Sequence, residues 1–359
     1  MGKRTAIIHD WLNGMRGGEK VLEELLEIFP DSDVFTLFLE EDKISEKIRD
    51  HKIITSSLNR SGIIKKKYRY FLPLFPRAIE DFNLEDYDLI ISSSHCVAKG
   101  VIPHPYATHI SYIHSPMRYA WDQYYSYFGE HKGFKRRYIS KKISDLRKWD
   151  VTSSERVDHF IANSNFVKER IRRYYRRDSE VIHPPVDTEY FTPGGQSIGD
   201  HFITVSALVP YKKVDSLVEA FNRTGDRFII VGKGPEESRL KKMAKNNIEF
   251  RKDLPGNELL DLYRNSRAFV YAGIEDFGIT FAEAHSCGIP VISYGEGGVT
   301  DIVNKKNGIL FDSKDQPGLL NALEEFKGKK FDKKNIRESA LRFSSENFRK
   351  KMAEFLKKV

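Results

Sequence analysis

The segment Glu275-Asp276-Phe277-Gly278-Ile279-Thr280-Phe281-Ala282-Glu283 places two carboxylates eight residues apart around a glycine turn. The run Ala268 to Tyr271 before it predicts a strand, and the residues after the glycine predict a helix. A strand, a glycine turn and a helix N-terminus make an anion cradle, because free backbone N–H groups and the helix dipole face the incoming charge. Glu283 falls about two turns or less into that helix, where its carboxylate can accept paired ribose hydroxyls. Taken alone, the glutamate pair serves equally well as a cap and a solvated face. Gly232-Lys233-Gly234 is half of a dinucleotide fingerprint at a strand-to-helix turn, where the glycines admit a nucleotide or only serve the turn. Gly17-Gly18, opening a helix from Glu19 to Ile28, carries the same two readings. His9-Asp10 and His114 end strands, Lys212-Lys213 follows one, and a histidine so placed is a structural residue or a site residue.

The elements that position these groups alternate between short β-branched runs and amphipathic helical stretches. Thr5 to His9, Asp33 to Phe38, Asp88 to Ser92 and His109 to His114 read as strands of a first half. Phe202 to Val205, Phe228 to Val231, Ile248 to Phe250, Ala268 to Tyr271, Pro290 to Ser293 and Gly308 to Phe311 read as strands of a second. The alternation predicts an α/β chain with parallel sheets. Between the halves lies the Pro/Gly-rich stretch Val181 to Asp187 and Thr192-Pro193-Gly194-Gly195, so the expected domains are 1–190 and 191–343. Two such halves imply an interdomain cleft, with ligands beyond the carboxyl ends of the strands.

The 359 residues suit about two domains. A composition 40% hydrophobic and 31% charged excludes disorder. Two cysteines, Cys96 and Cys287, exclude a disulfide framework or a Cys-rich zinc site and fit a reducing compartment. Met1-Gly2-Lys3-Arg4 is basic like a signal-peptide start. The apolar run after it stops at His9-Asp10, so no secretion signal is expected. The longest apolar stretches, such as Phe71 to Phe75, fall short of the roughly 20 residues of a membrane-spanning helix.

Glu275 and Glu283, with Phe277-Gly278 between them and Ala284 to Pro290 after, resemble the E-x7-E signature of the retaining glycosyltransferases of family 4, which have the GT-B fold of two facing Rossmann-like domains. The likeness extends to Gly17-Gly18-Glu19-Lys20, Asp88 to His95, Ala162 to Phe166, Val209 to Asp215, Val231 to Pro235 and Gly295 to Val303. The blocks His114 to Asp122 and Ser206 to Lys212 are similar to bacterial O-antigen and polysaccharide mannosyltransferases of that family. The resemblance implies a nucleotide-sugar on the C-terminal domain and an acceptor on the N-terminal one, with a last helix, 344–358, returning to the latter. It implies that Glu283 holds the ribose, and that Glu275 with the backbone of Phe277, Gly278 and Ile279 holds the sugar and diphosphate. Lys212 then stabilises the leaving diphosphate, where charge develops, and His114 contacts the transferred sugar. Gly17, Gly18, Lys213, Gly232 and Gly234 complete the donor site, and Asp10, Arg118 and Trp121 meet the acceptor, with positioning of the glycine loop as the alternative for Asp10. Most members carry an arginine where this chain has Ala207; either Lys213 or Lys233 substitutes for it, or Lys212 and the helix dipole serve alone.

A histidine at the position of His9 acts as general base in inverting GT-B enzymes, whereas the E-x7-E likeness implies retention. Asp31-Ser32-Asp33 and Asp86-Tyr87-Asp88 match the D-x-D metal clasp of the other main glycosyltransferase architecture. The first sits in a turn after Pro30, where Asp bonds its own backbone, and the second leads into a strand. No metal or other cofactor is expected.

The net charge of +8 is unevenly spread. Residues 51–79 hold seven Lys/Arg and no acid, among Ile63, Ile64, Tyr68, Tyr70, Phe71, Leu72, Leu74 and Phe75, and 132–148 holds eight and one acid, Asp145. The rest of the chain is net acidic. Lysines beside apolar residues suit an anionic lipid surface. The expectation is therefore a cytoplasmic enzyme, peripheral on the inner membrane, with a lipid-linked saccharide acceptor and no nucleic-acid partner. A nucleotide-sugar epimerase of the same fold is an alternative that needs no lipid-facing patch. A nucleic-acid-binding protein is another, which leaves Glu275, Glu283 and the glycine turns unexplained.

Overall fold

The computed structural model describes residues 4–195, 199–313 and 316–359; Met1, Gly2 and Lys3, which open the signal-like stretch, lie outside them. The chain divides into two units, Met1–Pro185 with Phe348–Val359, and Val186–Asn347. Residues 186–191 belong with the second because Val186 and Phe191 are buried among Ile203, Tyr263, Phe269 and Phe343. Val186 N–H also donates to Phe343 O at 2.8 Å, which ties the two ends of the second unit together.

The described residues of the first unit form a parallel sheet of β1 (Thr5–His9), β2 (Asp33–Thr36), β3 (Ile53–Thr55), β4 (Leu89–Ser94), β5 (Thr108–Ile113), β6 (His159–Ala162) and β7 (Glu180–Val181). Its spatial order is β3-β2-β1-β4-β5-β6-β7. In register, Ile7 sits between Val34 and Ile91. Every residue of β1 and β4 is buried, as central parallel strands covered on both faces require. The helix Gly17–Ile28 turns Val21, Leu22, Leu25 and Leu26 inward at helical spacing. The helix Ser345–Leu356 places Phe348, Met352 and Phe355 in the same cluster, with Ile7, Ile91 and Tyr112.

The second unit repeats the plan with β8 (His201–Val205), β9 (Phe228–Val231), β10 (Ile248–Arg251), β11 (Ser266–Tyr271), β12 (Val291–Tyr294) and β13 (Gly308–Phe311), in the order β10-β9-β8-β11-β12-β13. Each sheet has one place where the strand order reverses, between β1 and β4 and between β8 and β11. Loops leaving neighbouring strands there run in opposite directions and open a crevice at the carboxyl ends. Among the described residues no helix is long and apolar enough to cross a membrane.

Candidate active site

Both reversal points carry the residues singled out above. In the second unit, the loop after β8 brings Lys212 to the loop after β11, where its ammonium donates to Glu275 Oε1. Tyr271, the last residue of β11, donates its hydroxyl to the same oxygen. Lys212 Nζ also lies 5.3 Å from the centre of the Tyr211 ring and 6.0 Å from that of Tyr271, positions in which a ring face attracts a cation. The approach depends on Gly273, because a Cβ there would stand 3.0 Å from Lys212 O.

The Glu275 loop is braced from below. Gly298 N–H donates to Glu275 O at 2.8 Å, and Cβ atoms at Gly297 or Gly298 would meet Glu275 O or Asp276 O at 2.5 and 2.3 Å. Phe277 is buried and packs edge-on against Phe343, so it anchors the loop by its ring and can offer a ligand only its backbone. Gly278, at φ +92°, is the N-cap of the helix Ile279–Ser286. One turn in, Glu283 accepts the Tyr263 hydroxyl at 3.0 Å. Burial raises the Glu283 carboxyl to about 7, with the nearby Asp187 charge acting the same way and the Tyr263 bond opposing.

Gly232 and Gly234 have a packing explanation. Cβ atoms on them would stand 1.9 Å from Ser206 O and 2.2 Å from Leu208 O, and Leu208 N–H donates to Lys233 O at 3.0 Å. The two strand ends thus press together backbone to backbone. Lys233 pairs with Asp253 at 2.7 Å on the surface, and Lys213 takes the left-handed conformation, φ +56°, ahead of the helix Val214–Thr224. Lys212 is therefore the cation that this loop pair brings to Glu275.

In the first unit, His9, His95 and His114 stand at the carboxyl ends of the neighbouring strands β1, β4 and β5, with His9 6.2 Å and His114 6.4 Å from His95 between ring centres. Burial lowers His9 to about 3 and His95 to about 4, the charges of Arg16 and Arg118 adding to the latter, so both rings are neutral near neutral pH. Gly18 faces His9 and His114; a Cβ there would stand 3.4 and 3.7 Å from their ring atoms, ordinary contact distances.

Two expected acceptor residues are committed elsewhere. Asp10 is fully buried, and its oxygens accept the N–H groups of His95, Cys96, Val97 and Ala98 at 2.6–2.9 Å. It is a cap for the turn after β4, not a group presented to an acceptor. Trp121 stacks on Tyr174, with ring centres 4.6 Å apart. Its indole N–H donates at 2.8 Å to Asp150, the buried carboxylate that also holds Lys99. It braces the long helix Gly133–Ser154. Arg118 is half-buried beside His95. The two D-x-D stretches meet around Arg4, which donates to Asp33, Asp86 and, through its N–H, Asp88.

Tyr263 joins these sites from another element without a motif to announce it, Tyr271 stands four residues before Glu275, and Glu19 and Ser93 lie inside the stretches Gly17 to Lys20 and Asp88 to His95 that carried the family likeness but no stated role.

Residues 15–190 match the family model "Glycosyltransferase Family 4", and residues 199–343 match "Glycosyl transferases group 1". The chain belongs to glycosyltransferase family 4. This family 4 chain is 29% identical over 208 residues to a GDP-mannose-dependent alpha-mannosyltransferase of Corynebacterium glutamicum, covering 54% of this chain and 50% of that protein. It is 29% identical over 174 residues to the GDP-mannose-dependent alpha-(1-6)-phosphatidylinositol monomannoside mannosyltransferase of Mycolicibacterium smegmatis, covering 40% and 46%. The chain thus spans about half the length of the curated relatives it matches. The crystal structure of Anabaena HepE in complex with UDP and glucose superposes with a TM-score of 0.69 at 16% identity, over 100% of both chains. Its fold is GT-B.

Proposed function

We propose that the chain is a retaining glycosyltransferase that moves a hexose, mannose from GDP-mannose, onto a lipid-linked saccharide in the assembly of a bacterial surface polysaccharide of O-antigen type. The observation that carries this reading is the meeting of Lys212, Glu275 and Tyr271 beside the glycine-capped helix that holds Glu283. As the bond from sugar to diphosphate breaks, negative charge grows on the departing phosphate. Lys212, held between two rings, and the N-terminus of the helix Ile279–Ser286 stabilise that charge. The acceptor hydroxyl attacks the anomeric carbon on the face the phosphate leaves, its proton passing to the departing phosphate oxygen, so no protein nucleophile and no metal are required. The Glu283 carboxylate accepts the ribose hydroxyls, and His114 contacts a hydroxyl of the transferred sugar, with Gly17-Gly18 at the diphosphate. Mannose and GDP are supported by the two mannosyltransferase relatives, one of which acts on a lipid.

The second part of the reading is peripheral attachment to the cytoplasmic face of the inner membrane. Of the apolar residues in 51–79, Ile64, Tyr68, Phe71 and Leu72 pack against the core and Phe75 is buried in it, so the face available to lipid narrows to Ile63, Tyr70 and Leu74. The exposed Phe134 and Tyr138 stand with lysines and arginines on the second basic segment.

Nucleotide release measured over a panel of nucleotide-sugars, with Glu283→Ala and Lys212→Ala as controls, tests the proposal. GDP-mannose should be the best donor and both variants should lose turnover. If both variants bind and turn over the best donor like the wild type, the site is misassigned.

A further inference from the structure

His95, the residue after β4, stands apart from His9 and His109. His9 has no exposed surface, with Ser93 Oγ 3.1 Å from its Nδ1 and Glu19 Oε1 4.0 Å from its Nε2. His109, on β5, is equally enclosed, its Nε2 2.9 Å from Ser92 Oγ and its Nδ1 3.0 Å from Arg156 O. The His95 side chain is 33% exposed, yet its ring is fixed in place. Nδ1 lies 3.1 Å from Asp10 Oδ2, the oxygen that also accepts the His95 N–H at 2.7 Å. Trp11, buried with Phe75 in the first core, meets the ring edge-on, with ring centres 4.4 Å apart. The turn itself is pinned, because Cys96 Sγ lies 2.8 Å from the Tyr119 hydroxyl and the Lys99 ammonium 3.0 Å from the buried Asp150 carboxylate.

Burial pushes the Asp10 carboxyl up, and the N–H bonds from His95, Val97 and Ala98 oppose it. With two N–H donors on each oxygen, neither oxygen is left to carry a proton, so the turn fits the ionised form. A carboxylate oxygen only accepts, and a bare Nδ1 would set two lone pairs 3.1 Å apart, so the ring proton sits on Nδ1. Nε2 is then the bare nitrogen. It is not shut in as His9 Nε2 is, and among the described residues no hydrogen bond reaches it. What it can take follows from the charges nearby. The ring is neutral near neutral pH, with Arg16 and Arg118 close by. A neutral nitrogen with a lone pair repels a phosphate oxygen, and two guanidinium groups repel an ammonium. A hydroxyl suits both, since it donates to Nε2 while its oxygen faces positive charge.

We propose that His95, oriented by Asp10, is a saccharide-binding residue whose Nε2 accepts a hydroxyl of the acceptor sugar. Asp10 is a positioning residue in this scheme, because it acts through the ring without meeting the sugar. The assignment rests on the reading given under Proposed function, in which two saccharides meet. His114, its ring centre 6.4 Å from that of His95, serves the transferred sugar in that reading, which leaves the second saccharide to His95.

The test uses the full chain with 15N-labelled histidine, since the nitrogen shift separates a protonated ring nitrogen from a bare one. Without ligand, His95 should be protonated at Nδ1 and bare at Nε2. His109, whose Nδ1 faces a carbonyl, should also be protonated at Nδ1 and reports an intact fold. Octyl glycosides of mannose, glucose, galactose and N-acetylglucosamine are then titrated in as probes of the acceptor sugar. At least one should move His95 Nε2 toward the shift of a hydrogen-bonded nitrogen while His109 stays in place. In Asp10→Ala both His95 nitrogens should drift to the averaged shift of a free imidazole, with a weaker glycoside response. If that turn unfolds with its cap, His95→Phe, which keeps the cap and a ring against Trp11, carries the test. With GDP-mannose as donor, His95→Phe should raise KM for the glycoside about tenfold more than KM for the donor, the loss of one hydrogen bond. His95→Gln, whose amide oxygen can accept in place of Nε2, should recover part of that loss. A proton on His95 Nε2 in the ligand-free chain, no response to any of the glycosides, or an equal rise in both KM values overturns the proposal. A glycoside that moves Nε2 but receives no sugar from any nucleotide-sugar leaves the saccharide site standing and removes the reaction given under Proposed function.

Discussion

Lys212 and Glu283 sit in environments that make opposite demands. A carboxylate and two aromatic faces surround the Lys212 ammonium, and in the proposed reading it meets a second anion. Lys212→Ala should lower kcat about 10²- to 10³-fold, the usual cost of removing one group that stabilises developing charge; steady-state nucleotide release checks it. Glu283 titrates at about 7 in the folded chain against 4.5 for the ordinary side chain. Its ionised form, the one that accepts ribose hydroxyls in the proposed reading, therefore accumulates as pH rises through about 7, and on that reading GDP should bind more tightly above that pH than below, by calorimetry, with Glu283→Gln abolishing the trend. The same shift has a stability consequence of fixed sign. Between the two values the native state holds a proton the unfolded chain has lost, so raising pH across that window costs the fold on the order of 3 kcal/mol. The advantage of Glu283→Gln in melting temperature should thus grow from pH 4.5 to 7 and then level off. At this scale the Glu275–Glu283 pair was legible because its spacing along one strand-turn-helix unit is itself the signal, whereas Lys212 comes from the loop after β8, 63 residues earlier, and stood out only through the family likeness. Asp10 was misread because a carboxylate at a strand end looks the same whether it faces a ligand or four backbone amides that arrive from a segment 85 residues away.

The glycines of the strand-to-helix turns separate into two kinds once their surroundings are known. At Gly232 and Gly278 the missing side chain is required by the fold, since a Cβ would collide with Ser206 O or the Phe281 ring, at φ values of +153° and +92°. Gly278→Ala should cost about 1–3 kcal/mol and displace the amides that open the Ile279 helix, read as a lower denaturation midpoint together with lost turnover. At Gly18 the fold has room. Gly18→Ala should therefore melt like the wild type yet turn over donor poorly if the space is kept for a ligand, and an active, stable variant would mark a plain turn. The sheet was legible wherever strands are central and continuously apolar. It was not legible at Ile53–Thr55, His159–Ala162 and Glu180–Val181. The first and last of these are short edge strands that neither alternate cleanly nor stay apolar, and the basic neighbours of Ile53–Thr55 drew attention to charge instead.

Over the whole molecule, the basic excess belongs to two segments of the first unit, and the remainder is net acidic. Each Lys or Arg near an anionic bilayer is worth on the order of 1 kcal/mol, so sedimentation with vesicles containing anionic lipid should exceed that with neutral ones and fall with salt. Ile63→Glu with Tyr70→Glu should weaken it further without altering the melting temperature, since both side chains are exposed; equal pelleting on neutral vesicles would remove the electrostatic part. The last helix is a separate matter of integrity. Phe348 is 2% exposed inside the first core, and Phe348→Ala should cost about 3–5 kcal/mol by denaturant titration. The first unit is interrupted at Pro185 and resumes only at Phe348. On a ribosome, where domains form as their sequence emerges, the second unit has all its residues once Asn347 is made, whereas the first waits for Phe348–Val359. The part of the chain synthesised first is therefore the part completed last, and it stands with Ile7, Ile91 and Tyr112 short of their helical cover while the second unit is being made.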